Sequence, residues 1–473
     1  MDEKSLKILY NINEWWRTNK VDHSMLFEMK RDPFDELKEL LYGSDVLSLV
    51  GARWTGKTTL MYQLIDHLLN EGFESKNILF FSLLNRYILN EGIESIIEGY
   101  FEKVLKKQIR DVDRAYIFID EIQYYNDWTS LLKQYHDLRY PIKFIISGSS
   151  SVKIKKRQSP LLGRIYQKEL FPMDFKEYLR FSKKQEILNL VDGNENVSDI
   201  LSRSFDSKEF KEKLKSIHND IMLYKSEVVI LFDEYLLKGG YIEGLKTGNL
   251  QIWQNKLQDV IKRTIYEDIA AAYADDVRRP RKIEDLFTFI AANTSQNFSY
   301  NSISKKLDIH VETVMKYVEY LRSAYMLEEL ALFSKSTAKQ KRANKKYLLL
   351  DTGIRNAIFR ETPETLHESQ TFGLVVESAI QSNIISNYRR YNTYYWRNGG
   401  EVDMVVDTKK KLIPIEMKYK TNIRDTDIKG LIKFMKEFSV ECGIVVTKDV
   451  FKYKEYDGKI VVFIPAYLFL VVL

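Results

Sequence analysis

The feature that most constrains this 473-residue chain is the loop Gly51-Ala52-Arg53-Trp54-Thr55-Gly56-Lys57-Thr58. An apolar run, Val46 to Val50, enters it, and Thr59 to Leu69 leaves it with leucines at helical spacing, Leu60, Leu64 and Leu68. Glycines at this spacing let consecutive backbone amides face an anion, and the helix start adds partial positive charge. Lys57 is then expected to reach the β- and γ-phosphates of a nucleotide, Thr58 to place its hydroxyl on Mg²⁺, and Thr59 to touch the α-phosphate. Gly51 and Gly56 permit the turn.

Further apolar runs at Ile78 to Phe81, Tyr116 to Ile119 and Phe144 to Ile146 alternate with helical segments, the pattern of a parallel sheet. The second of them ends in Asp120-Glu121. Asp120 is expected to hold Mg²⁺ through water and Glu121 to polarise the attacking water. The next strand ends in Ser147-Gly148-Ser149, either serine being a candidate to hold the water or a phosphate. Arg164, after Gly163, is a candidate to supply charge to the transition state, in cis or to a neighbouring subunit; its alternative is a surface salt bridge.

The length suggests about three domains. Apolar residues at 45% and charged residues at 29% are those of a globular protein. One cysteine, Cys442, leaves no internal disulfide framework and fits a reducing compartment. The acidic start, Met1-Asp2-Glu3-Lys4, is unlike an export signal, so a cytoplasmic location is expected. The apolar tail from Ile460 to Leu473 is short of the roughly 20 residues of a membrane span and contains Pro465. A buried strand and a short helix are expected there, and no membrane partner. A net charge of +6 permits an anionic partner without demanding one.

Taken together, the P-loop, Ile119-Asp120-Glu121-Ile122-Gln123, Ser147-Gly148-Ser149, Gly163-Arg164, Leu170-Phe171-Pro172-Met173-Asp174-Phe175 and Gly239-Gly240-Tyr241 resemble the AAA+-related ATPases of archaea and bacteria. The resemblance implies ATP binding, with a winged helix and a C-terminal domain of the PD-(D/E)XK nuclease type following the ATPase. The expected fold is therefore α/β: an AAA+-like P-loop ATPase core over residues 1–182, a helical lid over 183–280, a winged helix-turn-helix over 281–355 and a restriction-endonuclease-like domain over 356–473. The clearest expected loop is Asp192-Gly193-Asn194-Glu195-Asn196.

In the middle region, Lys282 to Ala292, Ser302 to Leu307 and Val311 to Tyr325 read as three helices, followed by a hairpin whose loop has the shape of a wing. That loop holds Lys335, Lys339, Lys341, Arg342, Lys345 and Lys346 and no acidic residue. Such a cluster can neutralise phosphates, so double-stranded or branched DNA is the expected partner, chiefly through Lys339, Lys341, Arg342, Lys345 and Lys346. The alternative is a packing module with a solvated basic loop.

Toward the C-terminus, Glu377 falls on a helix, and Asp403, Glu416 and Lys418 fall on two strands of a hairpin. On a strand, Glu416 and Lys418 share a face. Carboxylates of this kind hold Mg²⁺ and a lysine steadies hydroxide, as in metal-dependent phosphodiester cleavage. The same four residues match the nuclease pattern of the family named above. The metal-ligand candidates are thus Thr58 and Asp120 in one site, and Glu377, Asp403 and Glu416 in the other. The leading expectation is an oligomeric ATPase that remodels or cleaves DNA. The alternatives are an ATP-switched DNA-binding protein whose C-terminal fold does no chemistry, and an ATPase acting on proteins.

Overall fold

The computed structural model describes residues 1–148, 161–184, 186, 187, 189, 208–368 and 370–473. The expected loop at Asp192 to Asn196 lies outside them. The chain forms two compact units, Met1–Phe171 with Ala271–Tyr273, and Pro172–Ala270 with Ala274–Leu473.

In the first unit the strands are β1 (Val46–Gly51), β2 (Ile78–Ser82), β3 (Ala115–Asp120), β4 (Ile142–Gly148) and β5 (Ile165–Leu170). They form one parallel sheet in the order β2-β3-β4-β1-β5. Both β1 and β3 are buried along their whole length, which their unbroken apolar runs require of a sheet covered on both faces. This order sets the carboxyl ends of β3, β4 and β1 side by side, the place where open parallel sheets gather ligands. The edge strand β2 is masked by the N-terminal segment. Asn13 exchanges hydrogen bonds with the backbone of Phe80, and the indoles of Trp15 and Trp16 donate to Ile78 O. A strand edge satisfied in this way offers no template for pairing with another chain.

The second unit is built on a nine-stranded sheet. Its strands are β6 (Gln296–Phe298), β7 (Leu327–Leu332), β8 (Lys345–Leu349), β9 (Asn392–Arg397), β10 (Glu401–Asp407), β11 (Leu412–Lys418), β12 (Cys442–Thr447), β13 (Lys452–Tyr456) and β14 (Lys459–Pro465). Their order is β13-β14-β12-β11-β10-β9-β7-β8-β6. Because β7 pairs in parallel with β9, the hairpin β7–β8 and the C-terminal strands share one sheet. Three helices precede or flank the hairpin, Pro280–Ala292, Tyr300–Leu307 and Val311–Ser323, the middle one opened by a Ser299–Ser302 capping box. A short helix, Thr337–Arg342, forms in the hairpin loop.

The apolar tail becomes β14 and the helix Ala466–Val471, and among the described residues no helix is long and apolar enough to cross a membrane. Two segments singled out in the sequence meet in this unit. Gly240 accepts from Met173 N at 2.7 Å and donates to Asp351 Oδ2 at 2.7 Å, while Phe175 N donates to Asn383 Oδ1 at 2.9 Å. A Cβ on Gly240 would lie 2.1 Å from Met173 O, so the close approach needs glycine.

Candidate nucleotide site and carboxylate cluster

The loop from Gly51 turns through Trp54 at φ 65° and Gly56 at φ 90°, then opens the helix Lys57–Asn70. A Cβ on Gly51 would stand 2.1 Å from Leu170 O, so glycine is what lets β5 run alongside the start of the loop. Thr55 Oγ1 donates to Ala52 O at 2.9 Å, closing the loop on itself. The Lys57 side chain is buried, and its ammonium donates to Gly51 O at 3.0 Å and Ala52 O at 2.7 Å, across the mouth of the turn. Arg31 adds a support that the sequence pattern does not reveal. Its buried guanidinium donates to Thr55 O at 2.6 Å and Phe171 O at 2.9 Å.

Beside this loop the end of β3 brings Asp120 to within 3.3 Å of Thr58 Oγ1 through both carboxylate oxygens. Ser147, at the end of the intervening β4, donates to Asp120 Oδ1 and accepts from Glu121 N at 3.1 Å. Its hydroxyl thereby ties the Asp120 carboxylate to the backbone of Glu121. Ser149 lies outside the described residues. Glu121 sits in left-handed backbone at φ 56°, a strained setting for a non-glycine residue and one common at functional positions. Gln123 Nε2 donates to its carboxylate. Burial raises the pKa of Glu121; Lys57 opposes the rise and Asp120 adds to it. A carboxylate of raised basicity next to a phosphate-binding loop suits a general base. Thr59 follows in the first helical turn, half-buried.

Arg164 lies away from the loop. It precedes β5, where its carbonyl accepts from Val46 N at 2.9 Å and its Nε pairs with Asp137 at 2.9 Å. That is the amino end of β1, whereas the P-loop leaves the carboxyl end; the strand between them spans roughly 17 Å at about 3.3 Å per residue. Arg164 cannot reach the same chain's phosphates without unmaking the strand. It lines a cleft of about 740 Å³ with Arg114, His136, Asp137 and Arg139.

In the second unit the sheet register brings together all four residues singled out there. Met404 faces Ile415 across β10 and β11, so Asp403 and Glu416 fall beside each other. Asp403 Oδ2 accepts from Met417 N at 2.8 Å, and Lys418 pairs with Glu416 and, at 3.7 Å, with Asp403. Glu377, on the helix Phe372–Asn387, accepts from Gln381 Nε2 at 3.1 Å. Gln381 in turn reaches Asp403 O at 3.3 Å and accepts from Ser295 Oγ at 2.8 Å.

A fifth member was expected elsewhere. Lys346 is 2% exposed and is not part of a DNA-facing surface. On β8 the side chains alternate, so Lys345 stays at the surface while Lys346 turns inward. Its Nζ lies 2.5 Å from Glu377 Oε1, 3.4 Å from Asp403 Oδ1 and 3.9 Å from Glu401 Oε1. Burial, joined by the Asp403 charge, raises the pKa of Glu377, and burial raises that of Glu416. For Asp403 burial works against the charge, but Lys346, Lys418 and the Met417 amide outweigh it and hold the carboxyl low. As placed, no group of three or more acidic, histidine or cysteine side chains among the described residues is set to hold a metal ion.

Lys339, Lys341 and Arg342 remain exposed on the hairpin loop, and Lys345 is half-exposed. On Val311–Ser323, Lys316 is paired with Asp276 at 2.7 Å and Arg322 with Glu328 at 2.8 Å, which leaves that helix poor in free cations.

Comparison with known proteins adds three matches along the chain. Residues 43–179 match an AAA domain model (AAA_14), residues 230–365 a domain of unknown function (DUF8612) and residues 372–467 another (DUF4143). Two uncharacterized proteins of Methanocaldococcus jannaschii are similar to the chain. One is 25% identical over 89% of this chain and 85% of its own length, the other 22% identical over 83% and 79%. An uncharacterized protein of Haemophilus influenzae is 21% identical over 64% of this chain and 67% of its own. Among solved structures, the Pif1 helicase of Candida albicans matches 36% of this chain and 45% of its own at 14% identity, with a TM-score of 0.24. A signal-transduction ATPase of the STAND type from Pyrococcus horikoshii matches 78% and 46% at 13% identity, also with a TM-score of 0.24. Scores of that size carry no argument from shape. Motif and family match together make the first unit the bearer of a P-loop ATPase domain of the AAA type.

Proposed function

We propose that the chain is an ATP-hydrolysing, DNA-binding protein that uses nucleotide to change its hold on DNA. The observation that carries this reading is the joint made by Thr58, Asp120 and Ser147 beside the Lys57 loop. A threonine hydroxyl and a carboxylate 3.3 Å apart are the pair that would hold Mg²⁺ against the β- and γ-phosphates, with Glu121 next to them to activate water. Arg164, being remote from its own P-loop, supplies charge to the nucleotide of a neighbouring copy, which makes the working form an oligomer.

Residues 281–355 act as a winged helix whose loop offers Lys339, Lys341, Arg342 and Lys345 to DNA phosphates, double-stranded or branched. With Lys316 and Arg322 already paired, backbone contacts rather than base reading are what this surface supports. Residues 356–473 form a domain of the PD-(D/E)XK type, with Glu377, Asp403, Glu416 and Lys418 as its set. A second reading, that this domain binds DNA without cutting it, is favoured in the native chain by the Lys346 ammonium between Glu377 and Asp403.

The test is a panel of linear, forked and four-way DNA incubated with ATP and Mg²⁺, read for binding and cleavage together. ATP-dependent, salt-sensitive binding supports the proposal. Absence of salt-dependent binding to every member would contradict it and point to a protein substrate instead.

A further inference from the structure

The basic run of the hairpin contributes one residue inward, into a group of three buried carboxylates. We propose that Lys346 holds the place of a divalent cation among Glu377, Asp403 and Glu416, so that the native chain closes its nuclease-type site with its own lysine. This rests on reading those residues as a nuclease-type set.

The Lys346 ammonium contacts carboxylates from two different elements, Glu377 at 2.5 Å on the helix and Asp403 at 3.4 Å on β10, as a bridging metal ion would. Glu377, Asp403 and Glu416 are 9%, 7% and 4% exposed, too buried to shed their charges into water. Two ammonium groups, Lys346 and Lys418, balance most of the three negative charges. Without Lys346, and with all three carboxylates ionised, the set is left with two negative charges in excess, which is what one divalent cation neutralises. Glu416 Oε2 is buried and has no hydrogen-bond partner, so an acceptor already in the cluster is available to a ligand. Lys346 is also fixed in register, opposite Asn297 on β6 and Leu330 on β7, so it leaves the cluster only if β8 moves. The resulting expectation is that a hard divalent ion enters when the ammonium is removed.

The experiment uses the full chain, free of nucleotide and carrying Asp120→Asn to weaken the P-loop site. Mn²⁺ is titrated by calorimetry into this parent and into the same chain with Lys346→Met. The variant is expected to bind one further Mn²⁺ at least about tenfold more tightly than the parent, and to gain thermal stability from Mn²⁺. Adding Glu416→Gln should remove the gain. Should Lys346→Met fail to fold, Lys346→Gln, which removes the charge but keeps a donor for Glu377, is expected to show the same direction. Equal Mn²⁺ binding by parent and variant, or no gain in either Lys346 variant, overturns the proposal. Plasmid cleavage measured in parallel separates it from the nuclease reading. A gained Mn²⁺ site without cleavage upholds the place-holder and shows that the nuclease-type set binds metal without cutting. Cleavage by the parent, dependent on Glu416 and Asp403, does the reverse.

Discussion

Thr58 Oγ1 stands 3.3 Å from each carboxylate oxygen of Asp120, although 62 positions separate the two residues in the chain. The sheet order produces this approach, since only β4 lies between β1 and β3, and β4 supplies Ser147 to bind the Asp120 carboxylate. Asp120 and the Ser147 hydroxyl are thereby fixed at strand ends, facing Lys57 and Thr58 in the first turn of the helix that leaves the loop.

Ser147→Ala removes a donor to Asp120 and an acceptor for Glu121 N. The expected result is a drop in kcat for ATP with little change in nucleotide affinity, and a stability loss of about 1 kcal/mol from the missing hydrogen bonds. Steady-state kinetics and a denaturant titration check both. A change in affinity alone would show that Ser147 faces the nucleotide.

Arg164 is a strand's length from the P-loop of its own chain, which makes its proposed role testable by mixing. Arg164→Ala and Lys57→Ala should each hydrolyse ATP poorly alone. Mixed, they should recover a measurable fraction of activity, because one intact interface can form from two different defects. If Arg164→Ala hydrolyses ATP at the normal rate, the arginine is only a partner for Asp137.

The hairpin loop should set the salt dependence of DNA binding. Replacing Lys339, Lys341, Arg342 and Lys345 with alanine is expected to reduce the slope of log K against log salt by about 3 to 4, near 0.9 for each phosphate that is no longer neutralised. Lys346→Ala should leave that slope unchanged, because its ammonium is buried against Glu377. Binding measured by anisotropy at several salt concentrations decides between them.

Asp351 gives a pH prediction. Its buried carboxylate accepts from Gly240 N and Ile354 N, and burial pushes its pKa up to about 6 from the ordinary 3.8, against the pull of those amides. A carboxyl raised in the folded state contributes stability that is complete below its unfolded pKa and is lost as pH rises through the folded one. Asp351→Asn keeps one acceptor oxygen and loses the other, at a cost of roughly 1–3 kcal/mol. The melting-temperature gap between wild type and variant should therefore narrow from pH 4 toward pH 6.5. A gap that widens over that range would contradict the raised pKa.

The nucleotide loop was legible in the sequence because its chemistry is contiguous. Gly51, Gly56, Lys57 and Thr58 lie within eight positions, and Asp120 ends an unmistakable apolar strand. Asp403 and Glu416 could be paired from the expected hairpin and the pattern of the family resembled, and the β10–β11 register places them together. What the sequence concealed depends on distant pairing. Arg31 reaches Thr55 and Phe171, 140 positions from the second, with no local signal. Lys346 looked like one more surface lysine in a basic run. Its direction is set by which face of β8 meets the helix carrying Glu377, and Lys345-Lys346 alone does not say which of the two turns inward.

The most direct test of the nucleotide site is steady-state ATP hydrolysis by the purified full chain with Mg²⁺, compared with Lys57→Ala and Glu121→Gln. Turnover is expected of the native chain, with its loss in Lys57→Ala and a fall of about 10²- to 10⁴-fold in Glu121→Gln with nucleotide binding retained. Undiminished hydrolysis by clean Lys57→Ala protein would contradict the assignment of the loop from Gly51 to Thr58.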